Sequence, residues 1–160
     1  MLESRIENIP DKKLVGKRMR MSLSDDKTFI MWQSFMSHKK EIANRVSEDY
    51  FSVTVYDNFE VFTQCFYTTL FDKWATAEVS EFNGIPDGME GYTLPGGLYA
   101  VFLYKGGHDE FSTALQYIFG TWMPASGYVT DDRPHFEILG EKYKLNDSSS
   151  EEEVWIPIRP

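Results

Sequence analysis

Two stretches of this chain carry the same pattern 83 residues apart, and that repetition restricts the fold more than any motif does. Val53 and Val55 recur at this offset as Phe136 and Ile138, and Trp32 and Phe35 recur as Leu115 and Ile118. A period this long is not a solenoid repeat. It predicts two pseudo-symmetric modules whose strands join in one antiparallel sheet, with a cleft on the axis where they meet.

The local signals fall in the same order in both halves. Leu14 to Met21 is a weak strand, and Thr28 to Val46 has Phe29, Trp32, Phe35, Met36, Ala43 and Val46 near the helical period. Ser24, Asp25 and Asp26 precede it as capping residues, so a helix of about five turns is expected. Phe51–Tyr56 and Trp74–Val79 alternate as half-buried strands. The turn-rich Asn83 to Gly88 then breaks every pattern. Beyond it come a strand over Gly97–Tyr104, a helix with Phe111, Ala114, Leu115, Ile118 and Trp122 on one face, and strands at Phe136–Leu139 and Glu153–Ile158. The expected fold is α+β: tandem β-α-β-β modules, one antiparallel sheet of about eight strands, and two main helices on one face. One domain over 1–160 is expected, with pseudo-repeat halves 1–88 and 89–160.

Composition narrows the function. Sixteen Lys and Arg against 25 Asp and Glu leave a net charge of -9, which repels a phosphate backbone, so no direct nucleic-acid binding is expected. The basic pairs Lys12-Lys13, Lys17-Arg18 and Lys39-Lys40 read as solvated faces. One cysteine, Cys65, allows no internal disulfide, and no Cys/His pair has zinc spacing, so neither metal nor cofactor is expected. The amino-terminal MLESRIENIPDKK has no apolar run, which predicts no signal peptide, no membrane partner and a cytoplasmic location. The 12 Phe, 9 Tyr and 4 Trp exceed the needs of such a core, and some are expected to line a pocket.

In the last strand Val154, Ile156 and Ile158 point one way and Glu153 and Trp155 the other. The equivalent strand sets Ala75, Ala77 and Val79 against Trp74, Thr76 and Glu78. Each half thus offers a carboxylate and an indole on one sheet face, a pairing suited to an apolar ligand, cationic or not. An amphipathic edge strand with solvated acids gives the same pattern. Trp32 and Trp122 lie on faces that also form core, whereas Tyr117 sits off the apolar stripe and can border a cleft. Nucleophile elbows, Walker loops, dinucleotide loops and zinc-protease motifs are missing, and His38, His108 and His135 are scattered. A desolvated glutamate acting as general base is the one catalytic option left.

The runs Leu94-Pro95-Gly96-Gly97-Leu98-Tyr99-Ala100-Val101-Phe102, Tyr117 to Tyr128, Phe136-Glu137 and Glu153-Val154-Trp155-Ile156-Pro157-Ile158 resemble the GyrI-like family, small-molecule-binding domains found at the carboxyl end of AraC-type regulators and as stand-alone proteins. The likeness is closest over residues 94 to 158. It implies two β-α-β-β modules around a central cleft and places the family's pocket glutamate on Glu153, with Trp155 beside it. Three functions follow from it: binding of a small effector, hydrolysis of strained cyclopropane-containing toxins by a pocket glutamate, and modulation of gyrase. The repeat fills the chain and leaves no helix-turn-helix, so a separate regulator or a topoisomerase is the macromolecular partner it implies. The expected ligand-binding set is Glu153, Trp155, Trp74, Glu78, Tyr117, Trp32 and Trp122, with Glu153 also catalytic if the protein is a hydrolase.

Overall fold

The computed structural model describes residues 2–57, 68–107, 110–144 and 147–160. Cys65 and His108 lie outside them. Among the described residues nine strands form: β1 (Glu3–Ile9), β2 (Lys12–Met21), β3 (Tyr50–Tyr56), β4 (Phe71–Val79), β5 (Glu90–Leu94), β6 (Gly97–Lys105), β7 (Val129–Thr130), β8 (His135–Leu139) and β9 (Glu151–Arg159). The main sheet runs β1-β6-β9-β8-β3-β4-β2-β5, antiparallel throughout, and β7 adds to β9. This order is a palindrome. β2, β3 and β4 of one module stand opposite β6, β8 and β9 of the other, and the axis passes between β8 and β3.

The edge strands cross between the halves: β1 pairs with β6, and β5 pairs with β2. The sequence reading missed both, because Glu3–Ile9 spaces its isoleucines by three and Glu90–Leu94 contains Gly91, so neither alternates. Asn83 to Gly88 is consequently no clean boundary, since the strand after it returns to the first module.

Two-residue connections, Pro10-Asp11 and Pro95-Gly96, join strands at opposite ends of this order, so the sheet must curl until its ends meet. The connections touch each other: the Gly96 amide donates to Asp11 Oδ1 at 2.7 Å. Inside the curl lies one apolar layer drawn from both modules, including Leu14, Phe51, Val53, Trp74, Leu94, Tyr99, Val101, Phe136 and Trp155. Arg133 closes it. Its guanidinium donates to the carbonyls of Gly96, Leu98 and Ile158, pairs with Asp131 at 2.7 Å and covers the Tyr99 ring at 4.6 Å. Gly97 has φ +128, and any Cβ there would sit 2.7 Å from that guanidinium, so position 97 needs glycine.

The helices cover the other face, one per module. α1 is Thr28–His38, packed through Met31 and Phe35 on Val15, Met21, Ala75, Ala77 and Val79. It is shorter than its periodicity predicts: a 3-10 turn at Lys39–Glu41 follows, and Asn44 adopts φ 63, so Val46 lies in a loop. Phe29, on the expected apolar face, is 68% exposed, whereas Phe35 is 0%. Phe35→Ala is therefore expected to cost about 3–5 kcal/mol in chemical denaturation, and Phe29→Ala less than about 0.5.

The second module's helix begins as α2 (Phe111–Tyr117), widens into a π-helical segment at Ile118–Trp122, and ends as α3 (Met123–Ser126) with Gly127 at φ 83. The Met123 amide donates to the Ile118 carbonyl five residues back. That extra residue per turn moves the buried position from the expected Trp122 to Met123, which with Ile118 faces Ala100, Phe102, Val154, Ile156 and Ile158.

Candidate functional site

Between the two helix cores the sheet's helix-bearing face turns polar. Directly paired residues share a face, so the register defines a row Phe102, Val154, Glu137, Ser52, Ala75 across β6, β9, β8, β3 and β4. Its ends, Phe102 and Ala75, belong to the two helix cores. Its middle, Glu137 and Ser52, lies on the module axis. A neighbouring row is His135, Thr54, Lys73. Glu152 lies two residues from Val154 on β9, and is therefore a diagonal neighbour of Glu137, with Cβ atoms about 7–8 Å apart.

Aromatic rings flank this strip. On one side Trp32 and Tyr50 meet edge to face at 6.1 Å, and Tyr56 meets His135 at 5.3 Å. From the other module the π-helical segment brings Phe119 to 6.1 Å from His135. The strip, hereafter the trough, thus has a polar floor with these rings beside it.

Its electrostatics follow from low solvent access. Burial raises the Glu152 carboxyl to about 8, reinforced by Glu137 and tempered by Lys73. Burial likewise raises Glu137, again tempered by Lys73. Burial lowers His135 to about 3, which leaves a neutral imidazole. Burial and both glutamates push the Tyr143 phenol up. Two close carboxyls that cannot both ionise cheaply, facing aromatic rings, favour a ligand that supplies positive charge without needing water. Among the described residues no group of three His, Cys, Asp or Glu could hold a metal.

The residues expected from the sequence are distributed differently. Glu153 and Trp155 share a face, as do Trp74 and Glu78, but it is the inner face of the curl. Trp155 is 5% exposed, stacked on Phe136 at 5.1 Å. Its indole donates to Glu153 Oε1 at 3.1 Å, and Arg5 pairs with Glu153 Oε2 at 2.8 Å. Trp74 is equally enclosed, against Tyr92 at 5.1 Å and beneath Arg18 at 5.6 Å, and Glu78 pairs with Lys12 at 3.6 Å. Trp32 stands at the trough. Tyr117 and Trp122 line a separate open groove of about 300 Å³ beside Ile6 and Tyr128. None of Glu137, Glu152, Lys73 and His135 belongs to the ligand-binding set expected from the sequence, where Glu137 enters only with the family resemblance and His135 only as a scattered histidine. The available signal was His135 and Glu137 alternating with Phe136 and Ile138 in the middle of a short strand, where a solvated edge would carry such residues but a sheet centre does not.

No helix among the described residues is long and apolar enough to cross a membrane. The chain is 25% identical over 160 residues to the transcriptional regulator BrlR of Pseudomonas aeruginosa, a match covering 98% of this chain and 56% of BrlR, so it spans little more than half of that relative. The fold superposes with TM-score 0.74 on SAV2435 bound to tetraphenylphosphonium, at 12% identity and over 98% of this chain and 94% of that one. It superposes with TM-score 0.62 on a hydrolase encoded by lin2189 of Listeria innocua, at 11% identity and over 98% and 92% of the two chains. The two solved structures thus share the fold of this chain, and the model of the GyrI-like small molecule binding domain matches residues 2–159, so the chain belongs to that family.

Proposed function

We propose that this small-molecule-binding domain takes an aromatic effector bearing a positively charged group in the trough between the two helix cores, with Glu137 and Glu152 as counter-charges to that group and Trp32, Tyr50, Tyr56 and Phe119 as its walls. The observation that carries this is the pair of neighbouring carboxyls, Glu137 beside the module axis and Glu152 one strand away on β9, held above their ordinary range by burial and flanked by rings from both modules. Tetraphenylphosphonium on the structural relative SAV2435 is a ligand of this chemistry. The role expected of Glu153 is thereby assigned to Glu152, one residue earlier and on the opposite face of β9.

Isothermal titration with tetraphenylphosphonium tests the reading. Glu152→Gln is expected to weaken binding by about 10-fold or more, the usual loss of a charge-assisted partner, while Glu153→Gln changes it less than about 2-fold. The cation favours the ionised pair, so binding releases a proton, and affinity is expected to climb with pH from 6 to 8 and level off above. Proton release is read from the dependence of the heat on buffer ionisation enthalpy. A larger loss from Glu153→Gln than from Glu152→Gln would assign the site to the inner face instead, and equal losses would leave the trough without support.

A second reading, hydrolysis of a strained electrophile, draws on the same carboxyl, because a group titrating near 8 can exchange protons with substrate at neutral pH. Incubation with a cyclopropane-containing electrophile and mass spectrometry decides it: a product heavier by one water, absent in Glu152→Gln, favours turnover over binding alone.

A further inference from the structure

Lys73 tempers the carboxyls of Glu137 and Glu152, yet a trough that receives a cation alone gains nothing from a charge of the ligand's own sign. It stands on β4 between Asp72 and Trp74, and its pairing with Thr54, which pairs in turn with His135, puts it on the helix-bearing face. It is half-buried. Its ammonium donates to Thr28 Oγ1 at 3.3 Å, and among the described residues it has no carboxylate within ion-pair distance. The nearest acid in sequence, Asp72, is engaged with Arg20. The trough therefore holds a positive centre toward the first module and a negative pair toward the second. By strand spacing and rise, the backbone positions of Lys73 and Glu137 lie about 12 Å apart diagonally across β3, and Glu152 lies farther along the same diagonal.

Resting on the assignment of the trough as the ligand site, we propose that its ligand class is an aromatic zwitterion, with an anionic group received by the Lys73 ammonium and Thr28 hydroxyl and a cationic group received by Glu137 and Glu152. A purely cationic ligand meets repulsion from Lys73, and a purely anionic one meets the glutamates. A ligand with opposite charges at the two ends of a rigid aromatic body matches both ends at once, and the charge order fixes its direction in the trough. Thr28 is the first residue of α1, so the anionic group also touches the start of the helix that walls the first module.

The test compares 4-(trimethylammoniomethyl)biphenyl with the same molecule carrying a 4′-carboxylate, by isothermal titration at pH 7.5, beside tetraphenylphosphonium. The wild-type protein is expected to bind the carboxylate-bearing compound about 5-fold or more tightly than the plain cation. In Lys73→Gln that preference is expected to vanish, the zwitterion losing about 3-fold and the plain cation gaining about 2-fold. Lys73→Arg should retain the preference. A wild-type protein that prefers the plain cation, or Lys73→Gln shifting both compounds by one factor, overturns the proposal, and the wild-type comparison stands even if the variant folds poorly. If tetraphenylphosphonium binds with Glu152 dependence but neither biphenyl preference appears, only the zwitterion assignment fails. If no probe depends on Glu152, the assignment of the trough itself fails.

Discussion

Glu152→Gln is expected to leave the protein nearly unchanged in stability at pH 5 and more stable than wild type at pH 9, by on the order of 2 kcal/mol. The sign follows from linkage. The Glu152 carboxyl is raised to about 8 in the folded protein, chiefly by burial, whereas the unfolded chain releases its proton near the ordinary value of 4.5. Between those values the folded state holds more protons than the unfolded one. Stability from the neutral carboxyl is therefore complete below about pH 4.5 and is lost as pH climbs to about 8. Glutamine mimics the neutral carboxyl at every pH and removes the loss. The full shift converts to more than the quoted figure, which is reduced because Glu152 is only partly shielded from water and shares its titration with Glu137. Urea denaturation of both proteins from pH 5 to 9 measures the gap; parallel profiles would mean that Glu152 is solvated and ionised throughout. The same substitution should weaken the cation, so this variant gains stability where it loses affinity, as expected of a carboxyl kept for a ligand and not for the fold.

Arg133→Met is expected to be the most damaging single change outside the apolar core, costing about 3–5 kcal/mol. The Arg133 side chain is 15% exposed, and it answers three backbone carbonyls and one carboxylate at the point where the curled sheet closes. Methionine keeps much of the bulk over the Tyr99 ring but leaves the Gly96, Leu98 and Ile158 carbonyls without this donor, and each buried orphan costs about 1–3 kcal/mol. Arg159→Met is the comparison. That side chain is 53% exposed and 3.8 Å from the same Asp131, so its loss should stay within about 0.5 kcal/mol. Denaturation midpoints at fixed m-value measure both. Equal small effects would show that the closure is carried by apolar burial alone. Because Arg133 also borders the small pocket formed by Val55, Tyr56, Tyr92, His135 and the 131–134 loop, Arg133→Met should loosen that rim first, visible as faster amide exchange at Leu98 and Ile158.

The elements legible in the sequence are those whose side chains obey a short period. Val53 with Val55, Ala75 with Ala77 and Val79, and Val154 with Ile156 and Ile158 alternate because each set is one strand face buried in a core, and the 83-residue offset carried the duplication. The local pattern even sorted the faces correctly, with Trp155 and Glu153 on one side of β9 and Val154 on the other. Period alone could not say which face holds a site. In a flat sheet with helices on one side, the face bearing Glu153 and Trp155 would be open and would make a reasonable cleft. Here two-residue connections at Pro10-Asp11 and Pro95-Gly96 curl the sheet, bury that face as a common aromatic core, and leave Glu153 to Arg5.

The trough was hidden for the same reason. Glu137, Glu152, His135 and Lys73 come from three strands and from both modules, and only the register between β3 and β8, across the module axis, sets them side by side. The π-helical widening at Ile118–Trp122 that carries Phe119 toward His135 leaves no trace in the heptad-like stripe, which it shifts by one residue. The sequence by itself determined the class of fold, the duplication and the family, because those depend on side-chain periodicity within single elements. Tertiary structure decided where charge could be buried, because the cost of a carboxyl depends on which chains surround it, and that is a property of the curl and of the packing of two helices that no local pattern contains.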